Sequence, residues 1–325
     1  MKICIYGAGA IGGYLAGSLA NAGIDTSIVV RGAHLEAING KGLTVETKEG
    51  TFTTRPRASA NPADLGPQDA VLVTVKAPSL PSVAASIAPL LKSDTPVVFV
   101  TNGVPWWYFQ SLDDTRRLPL LDPNDALRNA IGLDRVVGGI FWPASSVPEP
   151  GHIRMVSAAG RGTTIGRPDG ATTPAMEAIA AAFAAASLPF AIAPNLRDLI
   201  WEKLIFNLSA GPMCVLTTAP VKGVYEEPAA IDASRRLLAE AEALARAVGA
   251  KVEIDVERIV AMNTALGHRP SILQDLMATR PMEIDSLYTV PLGMAQAAGV
   301  PMPTLELLAA LIRVRARDAG LYAKV

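Results

Sequence analysis

The sequence of 325 residues contains few cysteines and histidines and carries almost no net charge. Two cysteines, Cys4 and Cys214, are too few for a disulfide-rich secreted scaffold. A disulfide between them remains open, although we favour two buried free thiols in a reducing compartment. The three histidines are scattered, so no metal site is expected. A net charge of −1 also gives no electrostatic reason to expect binding to nucleic acid or to an anionic membrane.

Long uninterrupted apolar runs are also missing. The most apolar stretch, residues 178–193, is broken by Pro189 and lies between Glu177 and Arg197. This pattern predicts a packed helix followed by a strand, and not a membrane span. The first residues show no secretory signal pattern. We therefore expect a soluble cytoplasmic protein that acts on a small molecule.

The pattern of the chain changes near residue 194. Before it, apolar strand-like runs alternate with helical stretches, at 2–7, 11–22, 25–31, 69–77, 81–91 and 95–103. This alternation predicts a parallel, doubly wound sheet. Further strand-like pieces occur at 135–145, 151–157, 162–168 and 190–194, and residues 104–135 are expected to be an irregular insertion with a short helix.

Beyond Pro194, long amphipathic helices replace the strands; we expect them over 196–210, 230–249, 255–266, 271–280, 283–299 and 303–318. The prediction is an α/β protein with a Rossmann-type, doubly wound domain at 1–194 and an all-helical domain at 195–325. A homodimer is compatible with this organisation, since helical domains often supply dimer surfaces.

A glycine-rich loop follows the first predicted strand. Residues 7–12, with Gly7, Gly9 and Gly12 separated by Ala8, Ala10 and Ile11, fit the pattern G-x-G-x-x-G. Gly7 permits a tight turn, Gly9 lets the backbone approach a pyrophosphate, and Gly12 lets the helix sit close to the strand. The first helical residues, Ala10 and Ile11, would present free N–H groups to the anion. The loop between strand and helix predicts a dinucleotide site.

Arg31 ends the second predicted strand, 19 residues after Gly12. Enzymes that use NAD usually place an acidic residue there to hold the ribose 2′-hydroxyl. A guanidinium instead suits a 2′-phosphate, so Arg31 predicts NADP (NADPH) as the cofactor. The alternative is a solvated surface arginine at a strand end.

Two polar residues close other strands of the same sheet. Lys76 ends the run VLVTVK, and Asn102 follows VVFVT. Ligands of open α/β sheets bind beyond the carboxyl ends of strands, where Lys76 would pair with a phosphate and Asn102 with nicotinamide or substrate. Each residue alone has an equally good structural interpretation: Lys76 could extend its amine to solvent from the surface, and Asn102 could stabilise a turn.

The helical part carries a second set of polar residues. Lys203 and Asn207 are one turn apart on one face of the helix predicted over 196–210. A partly desolvated ammonium has a lowered pKa, which suits proton donation, although snorkelling explains Lys203 equally simply. Ser271 is expected to act as an N-cap after Pro270, and Glu283 to begin a helix; these structural roles account for both residues.

Taken together, these motifs resemble those of the ketopantoate reductases (2-dehydropantoate 2-reductases) over nearly the whole chain. The resemblance rests on GAGAIGG, the strand-end arginine, VTVKA, VTNG, WEKLIFN and SILQDLMATRPMEID. It implies an NADPH-dependent reduction of ketopantoate to pantoate, in pantothenate biosynthesis. It also implies that Lys203 is the general acid, that Glu283 contacts the substrate hydroxyl and helps to place the lysine, and that Asn207 and Ser271 hold the substrate.

The resemblance further implies that Arg31 and Lys76 hold the 2′-phosphate and that Asn102 lies near nicotinamide and substrate. One departure concerns the substrate. Gly211 stands one turn after Asn207, where the family often has a second substrate-binding asparagine. Reduction of a different small keto acid or imine is therefore an open alternative. A dinucleotide-binding sensor without chemistry is the non-enzyme alternative, and retention of Lys203, Asn207, Ser271 and Glu283 argues against it.

Overall fold

The computed structural model describes residues 1–156 and 160–323. Ser157, the last residue of the strand-like piece predicted at 151–157, lies outside them, as do the last two residues of the predicted helical domain. The chain forms two compact units. The sheet unit comprises Met1–Thr101 and Trp106–Leu196, and the helical unit comprises Asn102–Pro105 and Arg197–Val325.

An eight-stranded, mostly parallel sheet organises the sheet unit, and a four-stranded sheet accompanies it. The strands are β1 (Lys2–Tyr6), β2 (Asp25–Val29), β3 (Leu43–Glu46), β4 (Thr51–Thr54), β5 (Arg57–Ser59), β6 (Ala70–Val73), β7 (Val97–Val100), β8 (Val136–Phe141), β9 (Ser145–Glu149), β10 (His152–Met155), β11 (Thr163–Gly166) and β12 (Phe190–Ile192). The large sheet has the order β12-β11-β8-β7-β6-β1-β2-β5, in which β11 is antiparallel to β8. The α/β fold with a parallel sheet is confirmed.

The chain reverses its direction of winding at β1. From β1 it passes to β2 on one side, and it later returns to β6 on the other side, so that both neighbours pair with β1 in parallel. Such a reversal creates the crevice in which open α/β sheets bind ligands. The central strands are buried on both faces, which explains their unbroken apolar sequences.

In the described part of the sheet unit there are five α-helices: α1 (Ala10–Asn21), α2 (Ala33–Lys41), α3 (Leu80–Ala84), α4 (Ala126–Ile131) and α5 (Pro174–Ala185). The helix expected over 81–91 is wrong in extent. It stops at Ala84 and a separate 3₁₀ turn covers Ala88–Leu90, because Pro89 has no N–H to donate to the Ala85 carbonyl and so cannot continue the α-helical hydrogen bonding. The apolar stretch at 178–193 forms a helix and then a strand, as predicted.

The small sheet, with the order β4-β3-β10-β9, was not expected from the sequence. It packs on α1, where two glycines make room for it. A Cβ atom at Gly13 would lie 2.6 Å from Ile153 of β10, and one at Gly17 would lie 2.5 Å from Val45 of β3. The close approach explains why the helix after the glycine loop is itself rich in glycine.

The aromatic residues of the predicted insertion are buried. Trp106 packs edge-on against Phe99, with 5.5 Å between ring centroids, and Trp107 lies against the glycine backbone at Gly138 of β8. The rest of the segment contains α4 and two 3₁₀ turns. Their burial indicates that these rings are part of the packed interior of the sheet unit.

The helical unit contains α6 (Leu196–Thr217), α7 (Val221–Val224), α8 (Pro228–Ala247), α9 (Val256–Ala265), α10 (Ser271–Met277), α11 (Val290–Ala298) and α12 (Pro303–Asp318). The helix predicted over 283–299 instead begins with a π-helical turn at Asp285–Thr289. The helix predicted to end at residue 210 continues to Thr217 through Gly211 and Pro212, because residues 208–215 are buried and packing outweighs the weak propensity of that pair.

One helix in the described residues, α6, is long and apolar enough to cross a membrane, but 67% of its most apolar window is buried inside the structure. A core helix of a globular protein has the same property. Both cysteines are free and buried, as favoured from the sequence.

Candidate functional site

The glycine loop joins β1 to α1 in a conformation that requires glycine at two positions. Gly7 has a φ of +109°, and a Cβ atom there would lie 2.6 Å from Cγ1 of Val75. A Cβ atom at Gly12 would collide with the Gly7 carbonyl oxygen and with Oγ1 of Thr74. Only hydrogen fits at either place, so the turn depends on both residues.

Gly9 has a different environment, because a Cβ atom there would meet no other atom within 4 Å. It precedes α1, whose first turn begins at Ala10, contains no acidic residue and receives no side-chain cap at Gly9. The open side of the loop therefore presents backbone N–H groups and the positive end of the helix dipole to an anion. These features fit the pyrophosphate of a dinucleotide.

Two hydrogen bonds fix the loop at the switch point of the sheet. Oγ1 of Thr74, just beyond β6, donates to the Gly7 carbonyl over 2.7 Å. The Gly7 N–H donates to the Val29 carbonyl at the end of β2 over 2.9 Å. Thr74 could not be predicted from the sequence, since a threonine at a strand end gives no signal until the neighbouring strand is known.

The two basic residues predicted to bind the cofactor follow these anchors. Arg31 is exposed and comes two residues after Val29, while the partly buried Lys76 comes two residues after Thr74. Both residues therefore lie at the edge of the sheet that carries the glycine loop, beyond the carboxyl ends of β2 and β6. Gly7, Gly9, Ala10, Ile11, Gly12, Arg31 and Lys76 all belong to the sheet unit. They form one candidate site for a nicotinamide dinucleotide.

The helical unit holds the second group of predicted residues. Lys203 and Asn207 lie one turn apart on α6, and both are partly buried. Burial lowers the pKa of Lys203 to about 8, against the opposing effect of the negative charge of Glu283. An amine with this pKa exists in both protonation states near neutral pH, so it can donate a proton and be recharged.

Glu283 is the buried partner of this lysine, with only 3% of its surface exposed. Nδ2 of Asn102 donates to its Oε2 over 3.1 Å. Asn102, which the sequence placed at the end of a sheet strand, therefore belongs structurally to the helical unit, together with Gly103, Val104 and Pro105. The amide thus supplies a hydrogen-bond donor to a carboxylate that is otherwise removed from water.

Gly103 explains how this short loop reaches Glu283. It has a φ of +77°, and a Cβ atom would collide with the carbonyl oxygen of Ser286. The same carbonyl accepts the N–H of Val104 over 2.8 Å. The loop thus lies directly on the π-helical turn, and the sequence VTNG needs its glycine there.

Ser271 does not take its expected capping role, whereas Glu283 stands at the start of a helix, immediately before its first residue Ile284, as predicted. Pro270 precedes α10, so Ser271 is the exposed first residue of that helix and not its cap. Glu283 precedes the π-helical turn, and its carbonyl accepts the N–H of Leu287. The next residue after Ser271, Ile272, faces Gly211 of α6, where an added Cβ would lie 3.9 Å from Cγ2 of Ile272. The start of α10 is therefore close to the Lys203 face of α6.

Residues 1–156 and 160–323 contain no group of three or more His, Cys, Asp or Glu side chains that could hold a metal ion. The arrangement in the helical unit instead offers a proton donor, a buried carboxylate and amide groups. These are the groups needed to bind a small polar substrate and protonate an oxygen.

Comparison with known proteins identifies the family. Two family models match: ketopantoate reductase PanE/ApbA over residues 3–170, and ketopantoate reductase PanE/ApbA C terminal over 195–316. A 2-dehydropantoate 2-reductase from Mesorhizobium japonicum is 39% identical, over 99% of this chain and 100% of its own length.

Solved structures agree. A proposed ketopantoate reductase from Ralstonia solanacearum MolK2 superposes with a TM-score of 0.91 at 38% identity, covering 99% of both chains. A D-mandelate dehydrogenase solved with NADH and anilino(oxo)acetate gives a TM-score of 0.82 over 99% of this chain and 100% of its own, but at 19% identity it shows the shared fold alone. The resemblance inferred from the motifs is thus confirmed, and the chain belongs to the ketopantoate reductase family of oxidoreductases.

Proposed function

We propose that this protein reduces 2-dehydropantoate (ketopantoate) to pantoate with NADPH, and that Lys203 is the general acid. The observation that carries the proposal is the environment of Lys203: a partly buried amine on α6 whose pKa of about 8 results from burial opposed by the charge of Glu283. The full-length relative named 2-dehydropantoate 2-reductase supports the choice of substrate.

The reaction adds a hydride to the keto carbon and a proton to the keto oxygen. When bound, the nicotinamide supplies the hydride. Lys203 protonates the oxygen as negative charge develops on it, and the resulting neutral amine regains a proton from solvent. Glu283, held by Asn102, keeps the ammonium form available by raising the pKa of Lys203 relative to burial alone.

The remaining polar residues would bind and orient the keto acid. Asn207, one turn from Lys203, is assigned to an oxygen of the substrate next to the reacting carbonyl. Ser271, exposed at the start of α10, is assigned to a second oxygen. Asn102 is also assigned to the substrate site, because its side chain is hydrogen-bonded to Glu283. Each contact fixes the keto carbon in one orientation for hydride addition.

The preference for NADPH would come from Arg31 and Lys76. Arg31 is exposed beyond β2, at the position where an acid would hold the ribose of NAD. Its guanidinium offers paired donors to a 2′-phosphate, and Lys76 adds a second positive charge. The glycine loop would hold the pyrophosphate.

A different small keto acid or imine is the second candidate substrate. Gly211 has no side chain to contribute one turn after Asn207, so the polar lining differs from the one implied by the family resemblance. A changed set of hydrogen-bonding groups changes substrate preference strongly. A place in pantothenate biosynthesis, a cytoplasmic location and a homodimer remain predictions from the sequence.

Steady-state kinetics of the purified protein test the proposal. NADPH and NADH are each compared with ketopantoate and with a panel of other 2-keto acids. We expect NADPH with ketopantoate to give the highest kcat/KM. Rapid turnover of another acid beside negligible turnover of ketopantoate would contradict the assigned substrate.

The role of Lys203 needs a separate variant. Lys203→Met should lower kcat by about 10²–10⁴-fold, the range of general acid catalysis, while NADPH binding measured by fluorescence titration stays unchanged. Lys222→Met is the matched control, because Lys222 is an exposed lysine of α7 in the same unit. Retention of kcat in Lys203→Met would rule out the assigned role.

A further inference from the structure

The row of α6 residues proposed to face the substrate ends in a position without a side chain. Lys203, Asn207 and Gly211 follow one another at intervals of four residues, so they lie on one face of the helix. Gly211 is buried. A Cβ atom there would lie 3.6 Å from the hydroxyl oxygen of Tyr288 and 3.9 Å from Cγ2 of Ile272. The tyrosine hydroxyl therefore occupies the place beside the row where a side chain at 211 would point.

Tyr288 belongs to the π-helical turn Asp285–Thr289, which begins two residues after Glu283. Its side chain is almost completely buried, with 1% exposed. Among the described residues, none forms a hydrogen bond with its hydroxyl. The hydroxyl oxygen is not among the fully buried polar atoms that lack a partner, so it keeps access from outside the packed core and is suited to receive a partner from a ligand.

Tyr225 of the same unit carries a buried hydroxyl with a structural role. It donates to the Ser209 carbonyl over 3.2 Å, pairs with Oγ of Ser234, and accepts from Nδ2 of Asn263 over 2.7 Å. All of its hydrogen-bonding capacity is used within the protein. Tyr288 contrasts with this arrangement, although both rings are buried.

The charge near Tyr288 limits what it can bind. Burial is the main cause that raises the pKa of Tyr288, and the neighbouring Cys214 and Glu283 raise it further. The hydroxyl therefore stays protonated and lies within the electrostatic influence of the Glu283 carboxylate. A substrate carboxylate would be repelled there, whereas a neutral hydroxyl group could both donate and accept a hydrogen bond.

We infer that Tyr288 is a specificity-determining residue whose hydroxyl binds the distal hydroxyl group of the keto acid, at the position that Gly211 leaves without a side chain. The inference rests on the proposed reduction of a hydroxylated keto acid. It assigns to the π-helical turn a role in choosing between keto acids that carry this hydroxyl and those that lack it.

The test compares ketopantoate with 3,3-dimethyl-2-oxobutanoate, which has the same carbon skeleton without the distal hydroxyl. Tyr288→Phe removes one oxygen atom and keeps the ring. We expect kcat/KM for ketopantoate to fall about tenfold, mainly through KM, because one hydrogen bond is lost. The kcat/KM for the deoxy acid and the KM for NADPH should stay within about threefold of their values in the unmutated protein. A change of this size is smaller than the effect of losing one hydrogen bond. An equal fall for both acids, or no fall for ketopantoate, would overturn the inference.

Tyr225→Phe is the matched control, since it removes a buried hydroxyl that has partners in the protein. It should lower thermal stability and leave the ratio of the two acids unchanged. Titration calorimetry with pantoate gives a readout that needs no turnover. If the unmutated protein reduces neither acid, the proposed function fails. The role of Tyr288 would still be supported if Tyr288→Phe bound pantoate more weakly than the unmutated protein. Equal binding by the two proteins, or no binding by either, would refute that role.

Discussion

The side-chain amide of Asn102 donates a hydrogen bond to the buried carboxylate of Glu283 across 3.1 Å, although 181 positions separate them in the chain. The loop Asn102–Pro105 carries the amide, and this loop belongs to the helical unit despite lying within the sequence of the sheet unit. Glu283 in turn acts on the charge of Lys203. A short excursion of the chain thus completes the surroundings of the proposed acid.

Gly103 should be essential for this excursion. Gly103→Ala forces a side chain into a residue with φ of +77° and against the Ser286 carbonyl. We expect a loss of about 2–4 kcal/mol in the free energy of unfolding, as for backbone clashes in buried sites. Urea denaturation measures the change, and kcat should fall with it as Asn102 is displaced.

Gly299→Ala is the control for backbone strain alone. Gly299 belongs to the same unit and has a similar φ of +67°, but a Cβ atom there meets nothing within 4 Å. Its cost should be about 1 kcal/mol. Equal losses for the two variants would show that the contact with Ser286 is unimportant.

The pH dependence of turnover should report Lys203. Because the protonated amine is the active form, kcat should be constant below the pKa of about 8 and fall tenfold for each pH unit above it. Glu283→Gln removes the charge that raises this pKa, so the alkaline limb should move to lower pH. A profile with NADPH at saturation measures it; an unmoved limb would mean that another group titrates.

Gly9 and Gly12 should separate cofactor binding from folding. Gly9→Ala points its methyl group into open space, so thermal stability should be unchanged while the approach of a pyrophosphate is blocked and NADPH binding weakens. Gly12→Ala collides with the Gly7 carbonyl and Thr74, so both stability and binding should fall. Thermal melts and fluorescence titrations distinguish the two; undiminished binding by Gly9→Ala would place the pyrophosphate elsewhere.

Arg31 should determine the choice between the two nicotinamide cofactors. Arg31→Ala should weaken NADPH binding about 10- to 100-fold, as expected for the loss of charge-assisted hydrogen bonds, and leave NADH binding nearly unchanged. Lys48→Ala, at an exposed lysine of the same unit, controls for the loss of one positive charge. Equal losses for NADPH and NADH in Arg31→Ala would refute contact with the 2′-phosphate.

Much of the fold could be predicted from local sequence patterns. The strands β1, β6 and β7 are buried on both faces, so their apolar runs were visible directly, and α5 begins at Pro174 after a capping Thr173 as its sequence suggests. The small sheet was missed because β3 and β4 are each only four residues long, and because β3 is held by a distant partner, with Thr44 in register with His152. Non-local pairing of this kind leaves little trace in a short polar strand.

The same distinction applies to the candidate site. The spacing of Lys203 and Asn207 on one helix is visible in a short stretch of sequence, and so is the glycine pattern of the loop between β1 and α1. The bond between Asn102 and Glu283, the anchoring of Gly7 by Thr74 and the position of Tyr288 beside Gly211 all depend on tertiary packing. The π-helical turn shifts the register of its helix, so no periodicity in the sequence places the Tyr288 hydroxyl.

The excursion at Asn102–Pro105 also limits how this enzyme can be divided. A polypeptide that starts at Arg197 would contain every helix from α7 onward, yet it would leave Glu283 without its amide donor and the Ser286 carbonyl without the N–H of Val104. Exchange of whole segments between relatives would therefore have to carry these four residues along with the C-terminal half, since the proposed catalytic module is discontinuous in the gene.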